Sequence, residues 1–523
     1  MGDALSHAVV AVKKSFVVYG RDSFGNLLQQ GGDAPTMFAV GTHGIAFRGV
    51  VTDYGNSTYL IEYYATRSGQ FNIYVTIGCC PPDPAVGYPA SISQAKALMI
   101  QGAPFQLTVE PAKVDQSRTV ATGDGLVGGM VGEAHTYVIY FRDLYDNPTS
   151  IVPSEQVEVI VTFWDQDTAD QIAPSLLTIS MLPNNATIVY NITRAAHYWM
   201  NVSISFMETS LIVSNNNLKN VSTSVVLPII GSPFSLFMSP TVAVNPNHTV
   251  CLGVGLRQAS AGQGASFQVN LFDNYRNALL VGGNKFYVRL VGDSSFANPA
   301  TMAEASPCSD LNTGGSYLCR YTPLYPGHHQ LVVRLLLLDA ANSNQRGPGG
   351  SGLLGSYYTS VDGCLAGTSS LANIVRVDSK VSFQWPSGFV VPSKPTANTL
   401  QTLPLEGSGQ SVRWEGYLLS PRTDAFNLSA VVVGLNVTIY CDDQLVFDSF
   451  QGISTLVNMV ADASYALLVV ASAAPSASAS GPAARSVNLQ WSTPIIRPYT
   501  IPTFFLYPYA ADVAFSPFTV TVH

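Results

Sequence analysis

Seven cysteines are the residues of this chain best suited to covalent chemistry, and an odd count does not by itself demand a disulfide framework. Cys308 and Cys319 stand symmetrically about the turn Asn312-Thr313-Gly314-Gly315, so on a hairpin they face one another and can be bridged. Cys79-Cys80 is a vicinal pair with no further Cys or His nearby at zinc spacing, so it reads as a disulfide or free thiols rather than a metal site. His328-His329 follows Pro326-Gly327; adjacent residues on a strand point to opposite faces, so the two imidazoles do not share one metal without distortion. No Gly-x-Ser-x-Gly elbow, His-Glu-x-x-His pair or phosphate-cradling Gly-rich loop with a Lys occurs. The expectation is a protein that is not an enzyme.

Asn-x-Ser/Thr, the acceptor pattern for N-glycosylation, occurs at Asn56, Asn185, Asn191, Asn201, Asn220, Asn247, Asn427 and Asn436. Four of these, Asn185, Asn191, Asn201 and Asn220, cluster in one stretch, which predicts a single sugar-sheathed face closed to protein partners. Charged residues are 11% of the chain, against roughly 25% in a typical soluble domain, so Ser, Thr, Asn, Gly and Ala must cover the surface. With Lys+Arg 25 against Asp+Glu 33, the net charge of −8 offers no basic field for nucleic acid or an anionic membrane surface. The most apolar runs, 330–341 and 465–474, fall short of the ~18–20 residues a spanning helix needs, so no membrane span is expected in this stretch. The N-terminus lacks the charged-then-apolar layout of a secretory signal, so either the protein is cytosolic or its signal lies outside this sequence.

The elements that must carry these residues are set by internal repeats, which decide architecture before local structure does. Gly2-Asp3-Ala4-Leu5 leads through Phe16 and Val17 to Asp22-Ser23-Phe24-Gly25-Asn26. Gly123-Asp124-Gly125-Leu126 leads without insertion to Asp143 and Asn147, and Gly253-Val254-Gly255-Leu256 to Asp273 and Asn277. Each of these opening motifs has a closing motif: Gly102-Ala103-Pro104-Phe105, Gly231-Ser232-Pro233-Phe234 and Ser516-Pro517-Phe518. A middle signature recurs at Tyr63 to Phe71, Tyr190 to Tyr198 and Tyr321 to Gly327. Short runs rich in β-branched and aromatic residues, each ending in Asp-x-x-x-Asn, are strands followed by turns, and Pro belongs at a strand start. Periods of about a hundred residues built this way predict an all-β chain of tandem immunoglobulin-like sandwiches.

The order Gly-x-Gly-Leu, aromatic-x-Val with Asp-x-x-x-Asn, Tyr-x-Pro-x-x-x-Gly and Gly-Ser-Pro-Phe resembles the filamin-type immunoglobulin repeat, most closely in the third middle signature and the second closing motif. The second repeat departs from it with Ala195-Ala196 where Gly is expected, which implies a different turn there. Pro104 and Pro233 are 129 residues apart but Pro233 and Pro517 are 284 apart, and the excess of 155 is the size of a whole domain. It falls after Val332-Val333-Arg334-Leu335, so a domain is expected inside a loop before the last strand, where insertion is tolerated. The block opens after the linker-like run 347–352 with Gly355-Ser356-Tyr357-Tyr358 and continues through Arg413-Trp414-Glu415-Gly416 to Trp491, an order similar to the PA14 domain of adhesins, toxins and glycosidases. The expected boundaries are 1–111, 112–240, 241–345 with 506–523, and 346–505. The PA14 resemblance implies a calcium site at the adjacent pair Asp442-Asp443, with the plainer reading that these residues turn a hairpin. Cys364 and Cys441, the two cysteines of the block, form a second expected disulfide.

Taken together, the readings predict a non-enzymatic extracellular or cell-surface structural and adhesive glycoprotein, with other glycoproteins, glycans or copies of itself as partners. The alternative is a cytoplasmic or ciliary scaffold whose strand edges capture extended peptides. Only Met1 precedes the first opening motif, whereas about a dozen residues precede the others, and the chain stops where a closing motif ends. It is therefore expected to be a segment of a longer array.

Overall fold

The computed structural model describes residues 3–41, 46–77, 99–151, 157–214, 217–292, 303–304, 307–338, 349–358, 364, 372, 374–385, 391–392, 402–403, 411–474 and 485–523. Among these, strands carry the fold, accompanied by short 3-10 turns, and the chain forms two compact units, Met1–Met238 and Ser239–His523. No helix among the described residues is long and apolar enough to cross a membrane.

In the first unit, the strand Ala46–Asp53 changes partner midway: Phe47 pairs with Ala39, while Gly49 to Asp53 pair with Tyr63 to Tyr59. The sheet thereby folds over a core that includes Phe16, Met37, Tyr59, Ile61, Ile73 and Leu107. A second sandwich follows. One sheet runs Leu176–Met181, Asn185–Asn191, His135–Tyr140, Val120–Thr122; the other includes Glu158–Asp165, Ala196–Ser214 and Phe234–Ser239. Strict alternation along Asn185–Asn191 sends Ala186, Ile188 and Tyr190 into the core shared with Tyr137, Phe163 and Tyr198.

The recurring sequence marks meet in space. The Tyr63 hydroxyl donates to the Ala4 carbonyl at 2.6 Å, that of Tyr190 to Gly125 at 2.6 Å, and that of Tyr321 to Gly255, so the middle signature is tied to the opening motif every time. At Gly255 a Cβ would press on the Ser266 carbonyl oxygen, so glycine is needed at this residue, whereas the first opening motif carries Ala4 at the matching place. The Asp of each Asp-x-x-x-Asn accepts backbone N–H bonds two and four residues on: Asp22 from Phe24 and Asn26, Asp143 from Tyr145 and Asn147, Asp273 from Tyr275 and Asn277. The prolines of the closing motifs each follow a cis peptide bond and lead into Phe105–Glu110, Phe234–Ser239 and Phe518–Val522.

In the second unit, Phe518–Val522 runs antiparallel to Gly327–Leu331 and parallel to Gln258–Ala259, and Val520 and Val522 share a core with Phe267, Val269, Leu331, Val333 and Leu335. Tyr509–Asp512 also pairs with Gly327–Leu337. Between Leu337 and Tyr509, besides the short pair Val391–Pro392 with Thr402–Leu403, the described residues build two larger sheets. One is centred on Ser411–Leu419 and Ser464–Ala473, the other on Asp424–Val433 and Arg485–Ser492, and they enclose Trp414, Phe426, Leu428, Val469 and Trp491. The Gly-x-Tyr-Tyr and Arg-Trp-x-Gly pieces converge on buried Asp378, whose Oδ2 accepts from Trp414 Nε1 at 2.7 Å and from the Tyr357 hydroxyl. A Cβ on Gly355 would sit 2.5 Å from that oxygen.

Candidate binding cleft

Alternation along Ser411–Leu419 buries Val412, Trp414 and Leu418 and leaves Arg413, Glu415 and Tyr417 on the outer face of their sheet. Tyr440, from Leu435–Cys441, and Asp443, from the following turn, add to that face. Tyr509, on the strand Tyr509–Asp512 that pairs with Gly327–Leu337, closes it into a cleft of about 370 Å³. Arg413 Nε donates to Glu415 Oε2 at 2.9 Å, and the Tyr417 hydroxyl accepts from Arg334 Nη1 at 3.0 Å.

One wall is a clamp to the sandwich strand Phe286–Gly292. Arg289 Nη1 donates to Asp443 Oδ2 at 2.7 Å and Nη2 to the Asp442 carbonyl at 3.1 Å, while the Tyr287 hydroxyl donates to Asp442 Oδ1 at 3.1 Å. The Ala466 N–H reaches the same Asp442 oxygen at 2.8 Å, and the Tyr287 and Tyr417 rings meet at 5.1 Å. Burial pushes the Asp442 carboxyl above its ordinary range, with the Arg289 guanidinium opposing it. Burial works against the Arg289 charge, but its anionic and phenolic neighbours outweigh that and hold it firmly protonated. On the other side, Arg334 Nε bonds Asp512 Oδ1 at 2.9 Å.

Asp442 and Asp443, the pair that the PA14 resemblance marks for calcium, both adopt positive φ (48° and 63°) in the turn between Leu435–Cys441 and Gln444–Asp448, and both carboxylates are engaged by protein donors. Among the described residues no group of three His, Cys, Asp or Glu side chains converges on a metal-sized space. Cys308 and Cys319 are bonded, their Cα atoms 4.0 Å apart, beside the paired Ser309 and Leu318. The expected Cys364–Cys441 bridge is corrected: the two are not joined. Cys364 N donates to Ser411 Oγ, level with Ser472 on Ser464–Ala473, whereas Cys441 pairs with Leu467 of that strand. Five residues of strand, roughly 17 Å, separate those levels, beyond the ~7 Å a disulfide can span. Cys79-Cys80 lies outside the described residues. Of the adjacent histidines, His329 is buried and His328 exposed, on opposite faces of one strand.

The clustered glycosylation signals do not share a face, which corrects the single-face expectation. Asn185 and Asn191 end one strand of the first sheet of the second sandwich, while Asn201 lies on the second sheet, and two packed sheets turn their outer faces in opposite directions. Asn220, on Asn217–Pro228, pairs with Leu211 of Ala196–Ser214; its side chain lies outside the described residues. Asn191 Nδ2 is held by the Gly132 carbonyl at 2.7 Å. Asn56 is in an exposed turn, Asn247 in the 3-10 turn Pro246–His248, and Asn427 and Asn436 are half-buried on strands of the block. Sequence reasoning missed Arg289 and Tyr287 altogether. The available signal was a charge interrupting an otherwise apolar strand, Phe286-Tyr287-Val288-Arg289-Leu290.

No family model matches the chain, and no curated protein matches it. Among solved structures it is similar to FdeC, an Escherichia coli adhesin, at 12% identity over 63% of this chain and 89% of that one, with a TM-score of 0.29. It is similar to the Lin-41 filamin domain at 19% identity over 21% of this chain and 87% of that one, TM-score 0.16. It is also similar to a PA14 sugar-binding domain from an RTX adhesin at 13% identity over 30% of this chain and 99% of that one, TM-score 0.22.

Proposed function

We propose that this is a non-enzymatic extracellular structural and adhesive glycoprotein, in which filamin-type sandwiches carry a PA14-type domain inserted before the last strand of the third, and that the cleft takes a glycan or a glycoprotein. The observation that carries the reading is the cleft's lining. The rings of Tyr417, Tyr440 and Tyr509 offer flat apolar surface to the C–H face of a sugar, and Arg413, Glu415 and Asp443 offer donors and acceptors to its hydroxyls. Glu415 is held by Arg413 and Asp443 by Arg289, which fixes the orientation of both carboxylates as acceptors. The Cys308–Cys319 bridge supports an oxidising compartment.

The test is binding of the purified chain to immobilised glycans and glycoproteins, with Tyr440→Ala and Arg413→Ala as variants. Each should weaken binding at least about tenfold. Undiminished binding by both variants would place recognition elsewhere. A second reading, a scaffold that captures extended peptides, is favoured by one observation: among the described residues Lys14–Tyr19 ends its sheet, whereas His135–Tyr140 and Ala265–Asn270 are flanked on both sides. That reading requires bare, reduced protein in the cell.

A further inference from the structure

The outer face of the second sandwich carries two of the chain's five tryptophans. Trp164, on Glu158–Asp165, and Trp199, on Ala196–Ser214, are direct cross-strand partners and are 36% and 42% exposed. Trp385, Trp414 and Trp491 are no more than 5% exposed. The aromatic surface continues to the next strand, where Phe237 packs at a tilt against His197 with centroids 4.6 Å apart. Two neighbouring indoles on a solvent-facing sheet form the kind of apolar patch that a ligand or covering group normally occupies.

The same two strands supply a candidate cover. Two residues along from the tryptophans, Asn201 and Thr162 are the next cross-strand pair on that face, a step of about 7 Å. Asn201 begins Asn201-Val202-Ser203 and is half-buried, on the outer face of its strand between buried Met200 and Val202. Trp164 Nε1 donates to Thr162 Oγ1 at 3.3 Å, which draws that indole toward Asn201's partner. Asn191 offers a contrast, since its amide nitrogen is already committed to the Gly132 carbonyl.

We propose that Asn201 bears an N-linked glycan whose first sugars lie over the Trp199–Trp164 pair, a proposal that rests on the extracellular glycoprotein reading above. The donor is a lipid-linked diphosphate oligosaccharide of the secretory compartment, acted on by its transferase. The Asn201 Nδ2 forms a bond to sugar C1, the bond from C1 to the diphosphate oxygen breaks with its electron pair, and the amide proton leaves to the diphosphate side. The apolar face of the attached pyranose then covers the indoles, tethered so closely that it gives up little freedom in doing so. This face is thereby closed to protein partners.

The experiment compares the full chain secreted from glycosylating cells with Asn201→Gln and Ser203→Ala; the second leaves Asn201 itself in place. Thr187→Ala, which removes the Asn185 signal on the opposite sheet, is the control. Glycopeptide mass spectrometry reads occupancy, and acrylamide quenching of tryptophan fluorescence reports chiefly on Trp164 and Trp199 because the other three are buried. The expected result is an occupied Asn201, stronger quenching and a Tm lower by about 2–4 °C in both Asn201-signal variants, and neither change in the control. An occupied Asn201 with quenching unchanged by its removal overturns the proposal. So does a bare Asn201 while other signals carry sugar. If no signal is glycosylated, the glycoprotein reading fails and this proposal with it.

Discussion

The Asp273 carboxylate, three residues past the strand Ala265–Asn270, holds the turn there, accepting from the backbone N–H groups of Tyr275 and Asn277 at 2.8 Å each and of Thr241 at 3.0 Å, with no exposure to solvent. Asp22 makes the same turn in the open, where its Asn26 side-chain and backbone bonds lower its pKa. Asp273→Ala should therefore cost more than about 3 kcal/mol, because it strands several buried donors at once, whereas Asp22→Ala should cost far less since water replaces the lost acceptor. Urea denaturation of the two variants checks this, and equal losses would show that burial does not set the difference. Turn residues of this kind are legible in sequence because the bonds are local. Arg289 was not, since its partner Asp443 is 154 residues away and nothing in either neighbourhood names the other.

Among the elements, the link from each middle-signature tyrosine to the carbonyl of its opening motif has a pH consequence. Burial pushes the Tyr63 and Tyr321 hydroxyls up to about 12 from an unfolded value of 10.0. The folded state thus holds these protons more tightly than the unfolded chain does. The stability they contribute is complete below pH 10 and is lost as pH rises through about 12. Alkaline titration should show these phenols ionising together with loss of the fold, read as tyrosinate absorbance against circular dichroism. Ionisation with circular dichroism unchanged would contradict it. Strand identity was readable from the β-branched and aromatic runs that lead to Asp-x-x-x-Asn, as along His135–Tyr140. Which sheet each strand joins was not, and so Asn185 and Asn201, close in sequence, lie on opposite outer faces. The Cys364–Cys441 expectation failed for a related reason: membership of one block says nothing about position along a shared strand.

Across the whole chain, long-range pairing joins distant segments: Phe518–Val522 lies beside Gly327–Leu331, and the Trp414 core is built by residues between them. The clamp that fixes this stretch to Phe286–Gly292, and the cleft beside it, arise from side chains that only folding brings together. The central claim is that these sandwiches and the cleft operate outside the cell as a glycoprotein. Peptide-mapping mass spectrometry, without reduction, of the protein isolated from the cells that make it tests this most directly. The account predicts N-glycans at several of the eight signals, Asn201 among them, and a Cys308–Cys319 bridge. Unmodified asparagines together with free thiols at Cys308 and Cys319 would contradict it.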